Sequence, residues 1–519
     1  MRDVYAAPRG PRIGAFIDYD GTLIEGYSVV EFYRRRLRGL EIGPVELART
    51  VLAAVRGIDG EEEFGALLEL SLQSWVGRRE EDLMALGDKL FKHAIAGKLH
   101  TEMWRVAEAH KAMGHTIVVA SSATRFQVEP MARALEASHV ICSEIEVEDG
   151  VITGRTAGPP PWGAGKARAV LELAEREMID LPSSFAYSNG EEDVPFLECA
   201  GHAVAVSPQS GLEAEAQRRG WPVMHCRSRG SGPMDVARTF GFYGGFAASL
   251  GLGIGVGLLN RSKRQMLDMT IGTGTDLGLA LAGIDVKIVE GHEHLWSARP
   301  CVFVFNHRSK LDAVVMMNLA RGGFTGVAKK EARSIPGFGQ LFWFAGVAFV
   351  DRGNTGQAKR ALEPAVKKVR DEGLSLVIAP EGTRSTTPRL GRFKKGAFHI
   401  AMQAEVPMVP VVMRNADELQ WRGGQAMHAG SVEVVILPPV DTSEWTPETI
   451  GEHVQHVRDM FVHTLENWPG APTPPPVRRP RTTRRPRTAA ANGRGHGGAG
   501  RGRAAAEAQD IEVDGEGTS

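Results

Sequence analysis

The chain has 519 residues, a formal net charge of −1, and 43% hydrophobic and 24% charged residues. That is room for about three units with cores of their own, in a composition that excludes disordered, fibrous and collagen-like classes. Cys142, Cys199, Cys226 and Cys301 form no CxxC pair or His cluster, which argues against a structural zinc site or a disulfide framework and fits a reducing cytosol.

The N-terminal MRDVYAAPRGPR has no apolar signal-peptide core, so secretion is not expected. The first strand, Ile13 to Ile17, runs into Asp18-Tyr19-Asp20-Gly21-Thr22-Leu23. Two carboxylates flanking one residue at a strand exit can share a cation, one as nucleophile and one as acid/base. An Asp-Gly turn is equally ordinary turn chemistry. Residues 26 to about 111 are rich in helix formers and read as a helical insertion. The strand Thr116–Ala120 leads into Ser121-Ser122-Ala123-Thr124, where a hydroxyl can bond a phosphoryl oxygen or cap a helix. Gly165-Lys166 opens a helix, placing a cation at its start. Phe185 to Ser188 leads to Asn189-Gly190-Glu191-Glu192-Asp193, a further acidic strand exit suited to Mg²⁺.

In this order, the motifs resemble those of the haloacid-dehalogenase-like phosphatases, in the phosphoserine-phosphatase-like branch (subfamily IB). The resemblance covers residues 13–206. It implies an α/β fold, a doubly wound Rossmann-like sheet with a helical cap. It also implies Asp18 as phosphorylated nucleophile, Asp20 as acid/base, and Ser121 and Lys166 as phosphate contacts. Asp18, Asp20, Asn189 and Asp193 are then the metal group. Asn189 departs from the family's usual Asp and removes one negative charge there, which should lower metal affinity.

Residues 227–237 form a polar, turn-rich connector. Gly241 to Asn260 then runs twenty residues without a charge, long enough to span a bilayer. Its glycines form small-xxx-small pairs (Gly241/Gly245, Gly251/Gly255, Gly253/Gly257) that permit close helix approach, and Arg261, Lys263 and Arg264 follow for anionic head groups. Either a membrane-embedded helix or one packed under the second domain fits this pattern.

The apolar run Cys301 to Phe305 exits into Asn306-His307-Arg308-Ser309-Lys310-Leu311-Asp312. Imidazole as base and carboxylate as orienter are the parts of an acyl-transfer site. Residues five apart on a helix point about 140° away from each other. The pair therefore meets only if His307 lies in the strand-to-helix turn and Asp312 in the first helical turn. Downstream, Gly346 to Val350 reads as a strand delivering Arg352. The strand Leu374–Ala379 exits into Pro380-Glu381-Gly382-Thr383-Arg384-Ser385. Val406 to Val412 is an apolar strand bracketed by prolines. Two arginines and a base at strand ends suit an anionic acceptor.

The blocks NHRSKLD, GVAFVDR, PEGTRS and VPMVPVV resemble, in kind, order and spacing, those of the glycerolipid acyltransferases, nearest to the bacterial 1-acylglycerol-3-phosphate acyltransferases. That resemblance implies a second α/β domain in which His307 deprotonates the free hydroxyl of lysophosphatidate and Asp312 orients it. The acyl thioester comes from acyl-CoA or acyl carrier protein. Arg352, Glu381, Gly382, Thr383 and Arg384 bind the glycerol phosphate.

The expected organisation is a phosphatase domain over 1–226, a linker with the apolar helix over 227–264 and an acyltransferase domain over 265–470. A disordered Pro/Arg/Gly-rich tail follows over 471–519, with nine Arg, no Lys and five Asp or Glu. The expected setting is the cytoplasmic face of the plasma membrane, with a lipid surface and no nucleic acid as partner. The competing account makes the first domain a non-catalytic regulatory or tethering module.

Overall fold

The computed structural model describes residues 1–39, 60–228, 230–329, 333, 347–350 and 355–470. The tail 471–519, Arg352 and residues 40–59 of the expected cap lie outside the described residues.

The strands run in chain order β1 (Gly14–Asp18), β2 (Thr116–Thr124), β3 (His139–Ser143), β4 (Ile145–Glu148), β5 (Val151–Thr156), β6 (Phe185–Ser188), β7 (His202–Val206) and β8 (Val223–Met224). The second half supplies β9 (Ile284–Glu290), β10 (Val302–Phe305), β11 (Phe324–Lys329), β12 (Ala348–Val350), β13 (Ser375–Ile378), β14 (Met408–Arg414) and β15 (Gly430–Ile436). Two large sheets result, in the orders β3-β2-β1-β6-β7-β8 and β12-β11-β13-β10-β14-β15-β9, while β4 and β5 form a separate ribbon. The first is parallel throughout, and the second is parallel except where β14 meets β15.

The central strands β1 and β10 carry no polar alternation because both faces are covered. In β1, Phe16 packs with Val118, Ala186 and Leu197 on one face, and Ile17 with Val119 and Tyr187 on the other. In β10, Phe303 and Phe305 face one core, and Val302 and Val304 the other. Each strand lies where the order of its sheet reverses, which puts the crevices at the strands' carboxyl ends.

Three readings of the sequence are corrected. Strand β2 continues past Ala120 to Thr124, with a break in register between Ala120 and Thr124, and Thr124 then caps the helix Arg125–Leu135 in a box with Gln127. The apolar helix is Pro233–Leu259 and not 241–260, so part of the connector is helix, opened by proline at its first position. It packs along the helix Lys263–Ala282. A Cβ on Gly245 would stand 3.0 Å from Gly278 N, and one on Gly253 2.0 Å from Thr270 Oγ1, whereas Gly251 and Gly255 meet nothing. Finally, Arg264, expected at the head groups, is engaged within the chain: its guanidinium bonds Asp268 at 3.0 Å and the Phe324 carbonyl at 3.1 and 3.2 Å.

Among the described residues, Pro233–Leu259 is one helix long and apolar enough to cross a membrane, and only 22% of its most apolar window is buried. Phe242 joins the core beneath β10, while Phe240, Leu252, Leu258 and Leu259 stand exposed on the same helix.

Candidate functional sites

The first site lies where β1 and β6 end side by side. Asp18 closes β1 and is buried. Lys166 Nζ, from the first turn of the helix Ala164–Arg176, lies 2.9 Å from Asp18 Oδ1 and 2.6 Å from Asp193 Oδ2. Ser188 Oγ also donates to Asp193 Oδ2, at 2.6 Å. Thr22 Oγ1 sits 3.0 Å from Asp18 Oδ2 and 3.2 Å from Asn189 Oδ1. Gly21 permits this approach: its φ is +78°, and a Cβ there would stand 2.2 Å from Asn189 Nδ2.

Asp20 is oriented differently. Ser28 donates its backbone N–H to Oδ1 at 2.6 Å and its hydroxyl to Oδ2 at 3.1 Å, so both oxygens of Asp20 are engaged. Ser121 is buried, and its Oγ accepts the Ala123 amide at 3.1 Å.

Burial pushes the Asp18 carboxyl up to about 7, with Lys166 opposing and Asp193 reinforcing the rise. Burial likewise raises Asp20 to about 6, against the stabilising bonds from Ser28. Burial alone would lower Lys166, but Asp18 and Asp193 together hold it above its ordinary value. Asp18 and Asp193 therefore share one lysine, whose charge Asp20 feels without bonding it. Asp193 Oδ1 is buried without a hydrogen-bond partner among the described residues. Together with Asp18 and the Asn189 carbonyl it forms an all-oxygen donor set of the kind Mg²⁺ takes, so the residues fit the ion.

The second site lies beyond β10. Asn306 anchors the turn, donating to the Met413 carbonyl at 2.8 Å and accepting the Met413 amide at 2.7 Å. His307 follows in the turn, and Asp312 is the second residue of the helix Leu311–Ala320. His307 Nδ1 lies 3.0 Å from Asp312 Oδ2, which also accepts the amides of Arg308 at 2.6 Å and Ser309 at 2.7 Å. One buried oxygen thus gathers the amides of the turn and orients the ring, and its negative charge suits the first turn of the helix. The His307 side chain is 23% exposed against 2% for Asp312, and Nε2 has no hydrogen-bond partner among the described residues. This leaves Nε2 able to take a proton from a bound molecule.

Glu381 braces the same histidine from β13. Its Oε1 accepts the His307 amide at 2.7 Å and its Oε2 the Gly391 amide at 2.9 Å. Burial raises its carboxyl, against the two amides that favour its charge. Gly382 has φ +74° and lies against the Lys394 side chain. Thr383 is exposed.

Arginine supplies the charge. Arg308 Nε and Arg384 Nη1 are buried without hydrogen-bond partners among the described residues. Burial and then the charge of Arg384 depress both Lys310 and Arg422. Arg308 adjoins His307 in the chain, the charge of Arg384 acts on Lys310 and Arg422, and Asp312 and Glu381 are committed to backbone amides, while Asp417 lines one cavity with Arg308 and Arg422. Neither Arg308, Lys310 nor Arg422 was assigned a role from the sequence. Arg308 and Lys310 lay in plain view within the NHRSKLD block, but Arg422 lies outside every motif. The fold also brings His100, Glu102 and Cys226 within 4.8 Å of one another, a grouping that sequence spacing could not show.

Comparison with known proteins matches the two halves separately. The haloacid dehalogenase-like hydrolase family model matches residues 15–198, and the acyltransferase family model matches residues 287–414. A 1-acyl-sn-glycerol-3-phosphate acyltransferase of Limnanthes douglasii is 38% identical over 35% of this chain and 64% of its own length. The 1-acyl-sn-glycerol-3-phosphate acyltransferase alpha of Homo sapiens is 35% identical over 35% of this chain and again 64% of its own. The chain thus spans just under two thirds of these relatives. A solved structure of a 1-acyl-sn-glycerophosphate (LPA) acyltransferase from Thermotoga maritima is 23% identical with a TM-score of 0.39, covering 46% of this chain and 97% of that one.

Proposed function

The chain joins a haloacid dehalogenase-like hydrolase segment to an acyltransferase segment, and we propose that each half keeps its own reaction. The second half transfers an acyl group from a thioester to the free hydroxyl of lysophosphatidate. The observation that carries this is the His307–Asp312 pair together with Arg308 and Arg384, whose buried Nε and Nη1 have no hydrogen-bond partner among the described residues. His307 Nε2 takes the hydroxyl proton while the alkoxide oxygen bonds the acyl carbon. The carbon–sulfur bond breaks, and the thiolate leaves with the proton returned by His307. Asp312 stabilises the imidazolium in between. Arg384 and Arg308, together with Arg352, bind the acceptor phosphate, with Glu381 and Gly382 shaping the loop. Either acyl-CoA or acyl carrier protein serves this chemistry as donor. The test is transfer of labelled acyl groups from acyl-CoA to lysophosphatidate: full-length protein should catalyse it, and retention of transfer by His307→Ala overturns the assignment.

In the first half, the same reading makes Asp18 the nucleophile toward a phosphomonoester, with Lys166 neutralising the site. Asp20 gives a proton to the leaving oxygen and recovers it from the attacking water. Mg²⁺, held by Asp18, Asn189 and Asp193, supplies charge neutralisation for the phosphoryl group when bound. A second reading, in which this half tethers or regulates without turnover, is favoured by Asn189 and by Lys166 already bridging Asp18 and Asp193. Mg²⁺-dependent hydrolysis across a panel of small phosphomonoesters separates the two, because a tethering module hydrolyses none.

We also infer a lipid surface on the cytoplasmic face as the working environment. The exposed apolar side chains of Pro233–Leu259 support it, and a high-salt wash that releases the protein from membranes contradicts an embedded helix.

A further inference from the structure

A short strap of the first half touches the machinery of both sites. On one side, Glu25 N donates to the Lys98 carbonyl and His100 N to the Leu23 carbonyl, each at 2.9 Å, which laces residues 98–100 to the chain just beyond Asp20. On the other side, Gly97 lies so close to the second half that a Cβ would stand 2.1 Å from the Arg422 carbonyl oxygen. Arg422 reaches back into its own half. Its Nη1 donates to the carbonyls of Arg384 at 2.5 Å and Ser385 at 2.6 Å, and its Nη2 lies 3.4 Å from the Lys92 carbonyl of the first half. Ser385 N in turn donates to the His307 carbonyl at 2.9 Å.

A guanidinium bonded to successive carbonyls fixes two peptide planes at once, and with them the direction in which the Arg384 side chain leaves the loop. The location is unfavourable for a cation, since burial and the neighbouring Arg384 charge both depress Arg422. The carbonyl bonds are what compensate. Further along, Arg389 pins the same loop to the first half, bonding Glu108 at 2.9 Å and also Glu136, with its guanidinium 5.4 Å from the Trp104 ring centroid. The cation-bearing loop is thus held at both ends against the phosphatase-like half.

We propose that Arg422, backed by Gly97, is a positioning residue for acyl transfer: it aims the 382–391 loop at the acceptor phosphate, which makes the phosphatase-like half part of the acyltransferase site. The proposal rests on the lysophosphatidate reading of the His307 site. It differs from a plain interface contact in what it does to acceptor binding. His307 remains held by Asp312 and Glu381 when Arg422 is removed, so the loss should fall on KM for lysophosphatidate rather than on kcat.

The test uses full-length protein in mixed micelles, with wild type, Arg422→Ala, Arg422→Lys and Gly97→Ala. Arg422→Ala should raise KM for lysophosphatidate about tenfold with kcat within about threefold, the scale of lost charge-assisted bonds. Arg422→Lys should recover part of the loss, since one ammonium can reach one carbonyl. Gly97→Ala, in the other half, should reproduce the KM rise. Amide exchange read on the 382–391 peptide should quicken in Arg422→Ala and Gly97→Ala while the 302–305 peptide stays protected. Unchanged KM with unchanged exchange of 382–391 overturns the proposal, even where the melting temperature falls, and so does a loss confined to kcat. If wild-type protein fails to acylate lysophosphatidate, the acyl-transfer reading fails instead, and the exchange comparison still decides whether Arg422 holds the loop.

Discussion

The two sites occupy the same place in two similar sheets yet have opposite electrostatic character. At the end of β1, Asp18 and Asp193 share Lys166, Asp20 is held by Ser28, and a buried oxygen of Asp193 is left over. At the end of β10, Asp312 and Glu381 are committed to backbone amides, and the guanidinium nitrogens of Arg308 and Arg384 are left over. Unsatisfied buried groups are costly, so each site is arranged for what completes it. The first is short of positive charge and suits a divalent cation with its phosphoryl group. The second is short of negative charge and suits an anionic acceptor. On the proposed reading, one strand-end geometry serves two chemistries, separated by which charges surround it.

The sharpest way to break this contrast is at Asp18. Asp18→Asn removes the proposed nucleophile, and phosphomonoester hydrolysis should fall to background in a Mg²⁺-supplemented assay while acyl transfer stays within about twofold. A variant that still turns over displaces the nucleophile assignment. His307→Ala is the matching change in the other half and should lower acyl transfer about 10³-fold, read as kcat with labelled acyl-CoA. Glu381→Gln probes the brace. An amide can accept from one of the two amides that Glu381 now serves but turns an N–H₂ toward the other, so kcat for acyl transfer should drop about tenfold. An unchanged kcat makes Glu381 dispensable for holding His307. The smallest effect is expected at Asn189. Asn189→Asp restores a carboxylate beside Asp18 and Asp193, and Mg²⁺ should bind severalfold, about 3- to 10-fold, more tightly by calorimetric titration. Equal affinity in the two proteins removes Asn189 from the ion's surroundings.

Much of this was legible in the sequence because catalytic groups cluster at strand exits, where local pattern is informative. The apolar run Cys301–Phe305 followed by a polar heptad placed His307 in a turn, and the geometric objection to a five-residue spacing became the condition that the turn meets. The DxDGT run and the Asn189 departure were likewise visible. What sequence could not show is contact between distant segments. Arg422 acts on Arg384 and Ser385 from 38 and 37 residues away in a stretch without a motif. The Asp20–Ser28 bonds that engage both oxygens of Asp20 depend on a loop path, not on spacing. The glycine pairs of the apolar helix read as helix-packing signals, but only the structure shows that Gly245 and Gly253 face Lys263–Ala282 while Gly251 and Gly255 do not. Strands β9 and β15 escaped notice because their mixed polar and apolar residues belong to the sheet's margin.

The central claim, two independent reactions in one chain, is tested most directly by assaying acyl transfer to lysophosphatidate and Mg²⁺-dependent phosphomonoester hydrolysis on the same preparations of wild type, His307→Ala and Asp18→Asn. The account predicts that wild type shows both activities and that each variant loses one and keeps the other. Loss of both activities in either variant, or a wild type that performs only one, contradicts it.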